Sequence, residues 1–204
     1  MRISRLLPPI ALTAAGALAA CADATAPLAG PAPTAPGVAI VAEDTTVSRF
    51  TIDPQKMISL GLAGDHKVFF PAQSICDPAV SSYGPGTWDE PCTLLTTPIE
   101  ITTRSYTTPD GRARVDFTPA LRFVTGAMGR NVTVHLLDPS AVRLTRPTIY
   151  YCPDGADASA CVDEGATDPS LATQVDGVSG VLSRRIKHFS GYSVGVGRTE
   201  DGTY

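Results

Sequence analysis

The sequence predicts an all-β chain, a single β-sandwich carried on a long N-terminal tether. Three observations lead there. In run after run, apolar residues recur at every second position, the mark of strands with one buried face. The runs are short, follow one another at intervals of about ten residues, and are separated by Gly- and Pro-containing turns, as in sandwiches. No segment shows the 3.6-residue period of a helix.

The chain opens with residues 1–20, which carry Arg2 and Arg5 and then run apolar from Leu6, with no acidic residue before Asp23. A basic start followed by a short apolar run reads as a secretory signal, too short for a membrane span. Leu18-Ala19-Ala20-Cys21 resembles a bacterial lipobox, in which the signal is cut before a cysteine that then receives lipid. Acyl chains on Cys21 would anchor the protein to a membrane, since each buried methylene contributes about 0.8 kcal/mol. Ala22 rather than Asp after that cysteine points to the outer membrane of a Gram-negative envelope.

Residues 21–45 read as the tether. From Ala22 to Gly37 nearly every residue is Ala, Pro, Thr or Gly, a composition that offers nothing to a core and favours extended chain. Val38–Val41 reads either as the apolar end of that tether or as a first edge strand. Residues 46–204 are long enough to bury one core, and nothing marks a second domain. Loss of the signal removes two arginines and takes the formal charge from −4 to −6. An acidic chain with no basic cluster argues against nucleic acid as a partner.

Within the domain, Phe50 and Ile52 alternate after Val47. Leu60-Gly61-Leu62, then Gly64-Asp65, then Val68-Phe69-Phe70 reads as strand, turn and strand. Ile99 and Ile101 lead into the turn Pro109-Asp110-Gly111, after which come Val115 and Phe117, then Leu121 and Phe123. Val132, Val134 and Leu136 form a half-buried strand closed by Asp138-Pro139-Ser140. Val142-Arg143-Leu144 and Thr148–Cys152 are expected to continue the series of strands.

Besides Cys21 there are four cysteines, Cys76, Cys92, Cys152 and Cys161, and in an exported chain an even number reads as disulfides. Three pairings are possible. The local one, Cys76–Cys92 with Cys152–Cys161, is the simplest, because each bond closes a loop rich in Gly, Pro or Asp. Zinc is disfavoured, since there is neither a C-x-x-C pair nor a neighbouring histidine.

The last β-patterned stretch, Leu182–Val196, places Leu182, Ile186, Tyr192, Val194 and Val196 on one face. Arg184, His188 and Ser190 interrupt that row, and Phe189 falls on the other parity. A change of face beside Ser190-Gly191 predicts a bulge or tight corner at Phe189-Ser190-Gly191. The run His188-Phe189-Ser190-Gly191-Tyr192 near the chain end resembles the last strands of the ZU-five domain, named for zonula occludens and Unc-five proteins. Val68-Phe69-Phe70-Pro71-Ala72-Gln73-Ser74-Ile75 resembles an upstream element of the same family. The resemblance covers residues 45–197 and implies a β-sandwich.

In some members of that family, and in a second extracellular domain of the GAIN type, H-[FL]-[ST] is an autoproteolysis site. The resemblance therefore implies candidate roles for His188, Phe189 and Ser190. Ser190 Oγ would attack the Phe189 carbonyl in an N-to-O acyl shift, His188 would take the hydroxyl proton, and water would hydrolyse the ester. The peptide bond must be strained for this, since a planar amide resists attack. Otherwise His188 is a polar strand residue and Ser190 a corner residue supporting Tyr192.

Other constellations are weaker. His66, His135 and His188 stand in no metal-ligand spacing, so neither a metal nor a cofactor is expected. Gly-x-Ser-x-Gly and P-loop patterns are missing from the sequence. Asp154, Asp157, Asp163, Glu164 and Asp168 do not follow EF-hand order and read as a solvated acidic loop rather than a calcium site. Tyr83 and Trp88, between Cys76 and Cys92, either cap the core or present an aromatic ligand surface. These readings converge on a non-enzymatic binding or structural module of the cell envelope, whose partner is an envelope protein or a glycan. The alternative is a self-processing domain that cleaves Phe189–Ser190.

Overall fold

A computed structural model of the chain describes residues 44–126, 130–153 and 158–197, all within one compact unit, Ile40–Tyr204. Residues 1–43, and with them the expected signal, Cys21 and Val38–Val41, lie outside the described residues, as do Asp154 and Asp157. Among the described residues ten strands form two antiparallel five-stranded sheets, the β-sandwich that the alternation predicts. They are β1 (Thr46–Ile52), β2 (Ile58–Gly61), β3 (Lys67–Phe70), β4 (Ile99–Thr107), β5 (Ala113–Thr118), β6 (Val132–Leu137), β7 (Pro147–Cys152), β8 (Gln174–Asp176), β9 (Val181–Ile186) and β10 (Gly191–Val196). One sheet runs β1-β4-β5-β10-β7 and the other β2-β3-β6-β9-β8.

Every strand but β8 turns its more apolar parity inward. Ile101, Val115, Phe117, Ile149, Tyr192 and Val194 of the first sheet meet Val68, Phe70, Val134, Leu136, Leu182 and Ile186 of the second in one buried cluster. The turn signals act as expected. The β4–β5 hairpin closes at Thr108–Arg112, where Gly111 adopts φ 77°, and Gly64 with φ 79° turns β2 toward β3.

One local expectation fails. Val142-Arg143-Leu144 is not a strand. Pro139–Arg143 forms a short 3-10 helix whose N-terminus is capped by the Asp138 carboxylate, accepting from the Ser140 N–H at 2.9 Å. Leu121 and Phe123 are fully buried but join only through isolated bridges, Ile75 with Phe123 and Arg122 with His188. β8, short and exposed along its length, has no apolar alternation to announce it.

The chain passes between the sheets at residues 187–190, from β9 in one to β10 in the other. This is the corner expected at Phe189-Ser190-Gly191. Phe189 is carried into the space between the sheets, stacked on Phe117 (4.2 Å, 9°) and edge-on to Phe70 (5.6 Å) and Phe123 (4.9 Å). Gly191 follows because the Arg114–Asp116 ion pair lies across that position. A Cβ there would run into Asp116 Oδ1 and stand 3.0 Å from the Cys152 carbonyl oxygen. Gly191→Ala is expected to cost about 1–3 kcal/mol of unfolding free energy. Gly61→Ala, with nothing within 4 Å of the new methyl, is expected to stay within about 0.5 kcal/mol. Urea denaturation of the two variants checks this, and equal values would contradict the crowding at Gly191.

Candidate functional site

The site is built outward from the corner at 187–190. Both disulfides take the local pairing: Cys76–Cys92 closes a 16-residue separation and Cys152–Cys161 one of nine. The loop closed by Cys76–Cys92 and the segment that follows Cys161 both reach the corner, where Lys187 binds an acid of each.

From the first loop, Trp88 stacks flat on the His188 ring (4.1 Å, 22°) and Tyr83 packs edge-on to Trp88 at 4.8 Å. The Tyr83 hydroxyl donates to the Phe189 carbonyl oxygen. Arg122 holds the same loop by donating to the carbonyls of Thr87 and Pro91. Tyr83 and Trp88 therefore cap the core at the corner, although Tyr83 keeps 43 % of its surface exposed.

From the second side come Asp163, Glu164 and Asp168. His188 Nε2–H donates to Glu164 Oε1 at 2.8 Å, while Glu164 Oε2 accepts from Arg184 Nη2 at 3.1 Å. Arg184 also faces Asp163 Oδ1 at 3.5 Å and donates to the Ile149 carbonyl across the sandwich. Lys187 binds Asp89 of the first loop and Asp168 of the segment after Cys161, each at 2.7 Å. The expectation of a solvated acidic loop is thus corrected for Asp163, Glu164 and Asp168. The acids serve as counter-ions for basic groups that the fold buries. Among the described residues no group of three or more His, Cys, Asp or Glu side chains could hold a metal ion.

The three motif residues divide their partners. His188 is fully buried, its Nε2 committed to Glu164 and its Nδ1 without a hydrogen-bond partner. Ser190, 3 % exposed, donates from Oγ to the Cys152 carbonyl at 3.0 Å. The peptide groups around the candidate bond are also engaged. The Phe189 N–H donates to Leu121 O at 2.7 Å, the Ser190 carbonyl accepts from the Phe117 N–H at 3.0 Å, and the Tyr192 hydroxyl donates to the His188 carbonyl at 2.6 Å. Among the described non-glycine residues, left-handed backbone occurs at Asp65, Gln73 and Arg146, remote in sequence from this bond.

Arg184, His188 and Ser190 do not interrupt the buried row of β9 and the corner, as their polarity suggests. They belong to it, at 1 %, 0 % and 3 % exposure. That was the missed signal: a basic residue at a buried strand position requires an acid, and the acids stood together at residues 163–168. Trp88 as the partner of His188 had no such signal, because nothing local links residues 100 apart.

No known family model matches the chain, and neither a search of curated proteins nor a search of solved structures returns a similar protein.

Two outcomes follow from this network. Glu164→Ala leaves Arg184 and His188 buried without their shared carboxylate and is expected to destabilise by about 3–5 kcal/mol, measured by chemical denaturation. The Asp168 carboxyl is held down at about 2, below its ordinary 3.8, chiefly by hydrogen bonds from Lys187 and Ser170. Because its folded value is the lower one, its stabilisation is complete above the ordinary value and is lost as pH falls through about 2. Its side chain is about one-third exposed, which limits the effect to under about 1 kcal/mol. Asp168→Asn should flatten the acid limb of the stability curve by that amount.

Proposed function

We propose that this chain is an exported bacterial lipoprotein, anchored to the outer membrane through lipid on Cys21. Its β-sandwich, resembling the ZU-five domain, acts as a non-enzymatic binding or structural module of the cell envelope. The observation that carries this reading is the commitment of the His188-Phe189-Ser190 side chains to structural partners: imidazole to Glu164 and Trp88, phenyl to the core, hydroxyl to Cys152 O. A catalytic hydroxyl and its base need a mutual hydrogen bond, whereas here the Ser190 hydroxyl donates to the Cys152 carbonyl and the His188 Nε2–H donates to Glu164. The lipobox-like Leu18–Cys21 and the Ala/Pro/Thr-rich segment after it support the tethered location.

One observation favours the second reading, self-cleavage at Phe189–Ser190. The Tyr83 hydroxyl donates to the Phe189 carbonyl oxygen, the atom on which charge would develop if Ser190 attacked. In that reaction Ser190 Oγ bonds to the Phe189 carbonyl carbon, the C–N bond breaks, and the hydroxyl proton passes through His188 to the freed amine. Water then hydrolyses the ester.

The intact mass of the denatured, unreduced protein, exported from a bacterium that processes lipoproteins, separates the readings. The passive module is expected to give one species with acyl mass on Cys21 and no free thiol. A fragment beginning at Ser190, absent from Ser190→Ala, would overturn it in favour of self-cleavage.

A further inference from the structure

The outer face of the second sheet carries a cavity of about 330 Å3 over β3, β6 and β9. Burial on the inner face fixes which side chains point outward. Val68, Phe70, Val134, Leu136 and Leu182 are buried between the sheets, so their neighbours in sequence stand on the opposite side. Polar residues are expected there, and Thr133, Ser183 and Arg185 meet that expectation. Phe69, Leu137 and Val181 do not. They are half-buried, lie outside the core cluster and line the cavity together, with Leu137 and Val181 directly opposite each other on β6 and β9. An apolar wall in a concave surface is the usual body of a ligand site.

Three polar groups share the cavity, and all of them can be reached from solvent. Asp65 and Lys67 are exposed, and His135 is half-buried. None of these three side chains forms a hydrogen bond or ion pair with a described residue. The two charges, although two positions apart in the chain, do not pair with each other. His66 between them is extended (φ −73°, ψ 161°), which sets the two α-carbons roughly 6–7 Å apart. Burial lowers the pKa of His135, and the charge of Lys67, directly opposite on β3, lowers it further. At neutral pH this imidazole is therefore uncharged and has one N–H to donate.

This set of groups selects among ligands. A simple anion is attracted by Lys67 but repelled by Asp65, and for a simple cation the signs reverse. A compound that carries an ammonium and a carboxylate on one carbon satisfies both. The His135 N–H then donates to the carboxylate, and the apolar wall takes the substituent on that carbon. The volume is at the small end of ligand sites, which suits a single unit of this kind.

We propose that this cavity binds a free α-amino acid with an apolar side chain. Its carboxylate lies on Lys67 and His135, its ammonium on Asp65, and its side chain against Phe69, Leu137 and Val181. The assignment rests on the reading of the domain as a binding module and names the class of ligand it takes.

The test is a titration of the full-length, isotopically labelled protein with leucine, followed through the amide resonances of Lys67, Phe69, His135 and Leu137. Three controls each lack one feature: N-acetyl-leucine the ammonium, leucinamide the carboxylate, and glycine the apolar side chain. Leucine is expected to shift these resonances saturably and each control to bind more weakly. Lys67→Gln and Asp65→Asn are each expected to weaken leucine about five- to tenfold. The losses are matched to the groups: Lys67→Gln leaves leucinamide unaffected, and Asp65→Asn leaves N-acetyl-leucine unaffected. Both variants keep the melting temperature, because the two side chains are exposed and Asn accepts the φ of 59° at position 65. Absence of any saturable shift at tens of millimolar leucine, equal binding of the three controls, or unmatched losses in the variants would each overturn the assignment. The intact mass of the same sample tests the module reading separately. An uncleaved protein that leucine does not shift loses the site and keeps the module, whereas a fragment beginning at Ser190 alongside saturable shifts does the reverse.

Discussion

The carboxylate of Glu164 is the contact on which the arrangement of this domain depends. It is shared between the guanidinium of Arg184 and the imidazole of His188, two groups that the sandwich places out of reach of water. A buried cation without a partner is costly enough to unfold a small domain. The loop that carries Glu164 is therefore held against the edge of the sandwich, with the Cys152–Cys161 bond limiting where it can go. Once it is there, the bridge between Tyr151 and Val162 covers the outer side of β7, the last strand of its sheet.

The same corner recruits the other loop. A β-sandwich whose chain changes sheets must route backbone polar groups through an apolar interior, and each needs a partner. Residues 187–190 find those partners in Leu121, Phe117, Phe123 and Tyr83, gathered from distant parts of the chain, and in the nearby Tyr192. Phe189 fills the interior between the sheets, and Trp88 covers His188 from outside. In this light the short motif His188-Phe189-Ser190 is intelligible without a reaction: a tie for one loop, a core plug and a tie for the other.

Much of the architecture was legible because burial on one face of a strand forces a period of two, and that period survives in Val132-Val134-Leu136 or Val115-Phe117 whatever the surroundings. Turn positions were legible for the same local reason, since Gly64 and Gly111 occupy backbone conformations that other residues resist. The pattern misled where a local cap outweighed it. At Asp138-Pro139-Ser140 the capping carboxylate and a proline suited to a first helical turn drew Val142 into a 3-10 helix. It was silent at β8, which buries none of its residues.

The sequence by itself determined the fold class, the strand-and-turn order of most of the domain and the position of the corner, because these depend on residues near one another in the chain. Only the tertiary structure decided what the polar residues do there. Whether Arg184 is a break in a strand or a buried ion, and whether Trp88 is a surface or a lid, depends on which distant segment packs against it. Such contacts are set by the stacking of two sheets and the reach of two disulfide-anchored loops. Local pattern records burial, but it does not record the partner.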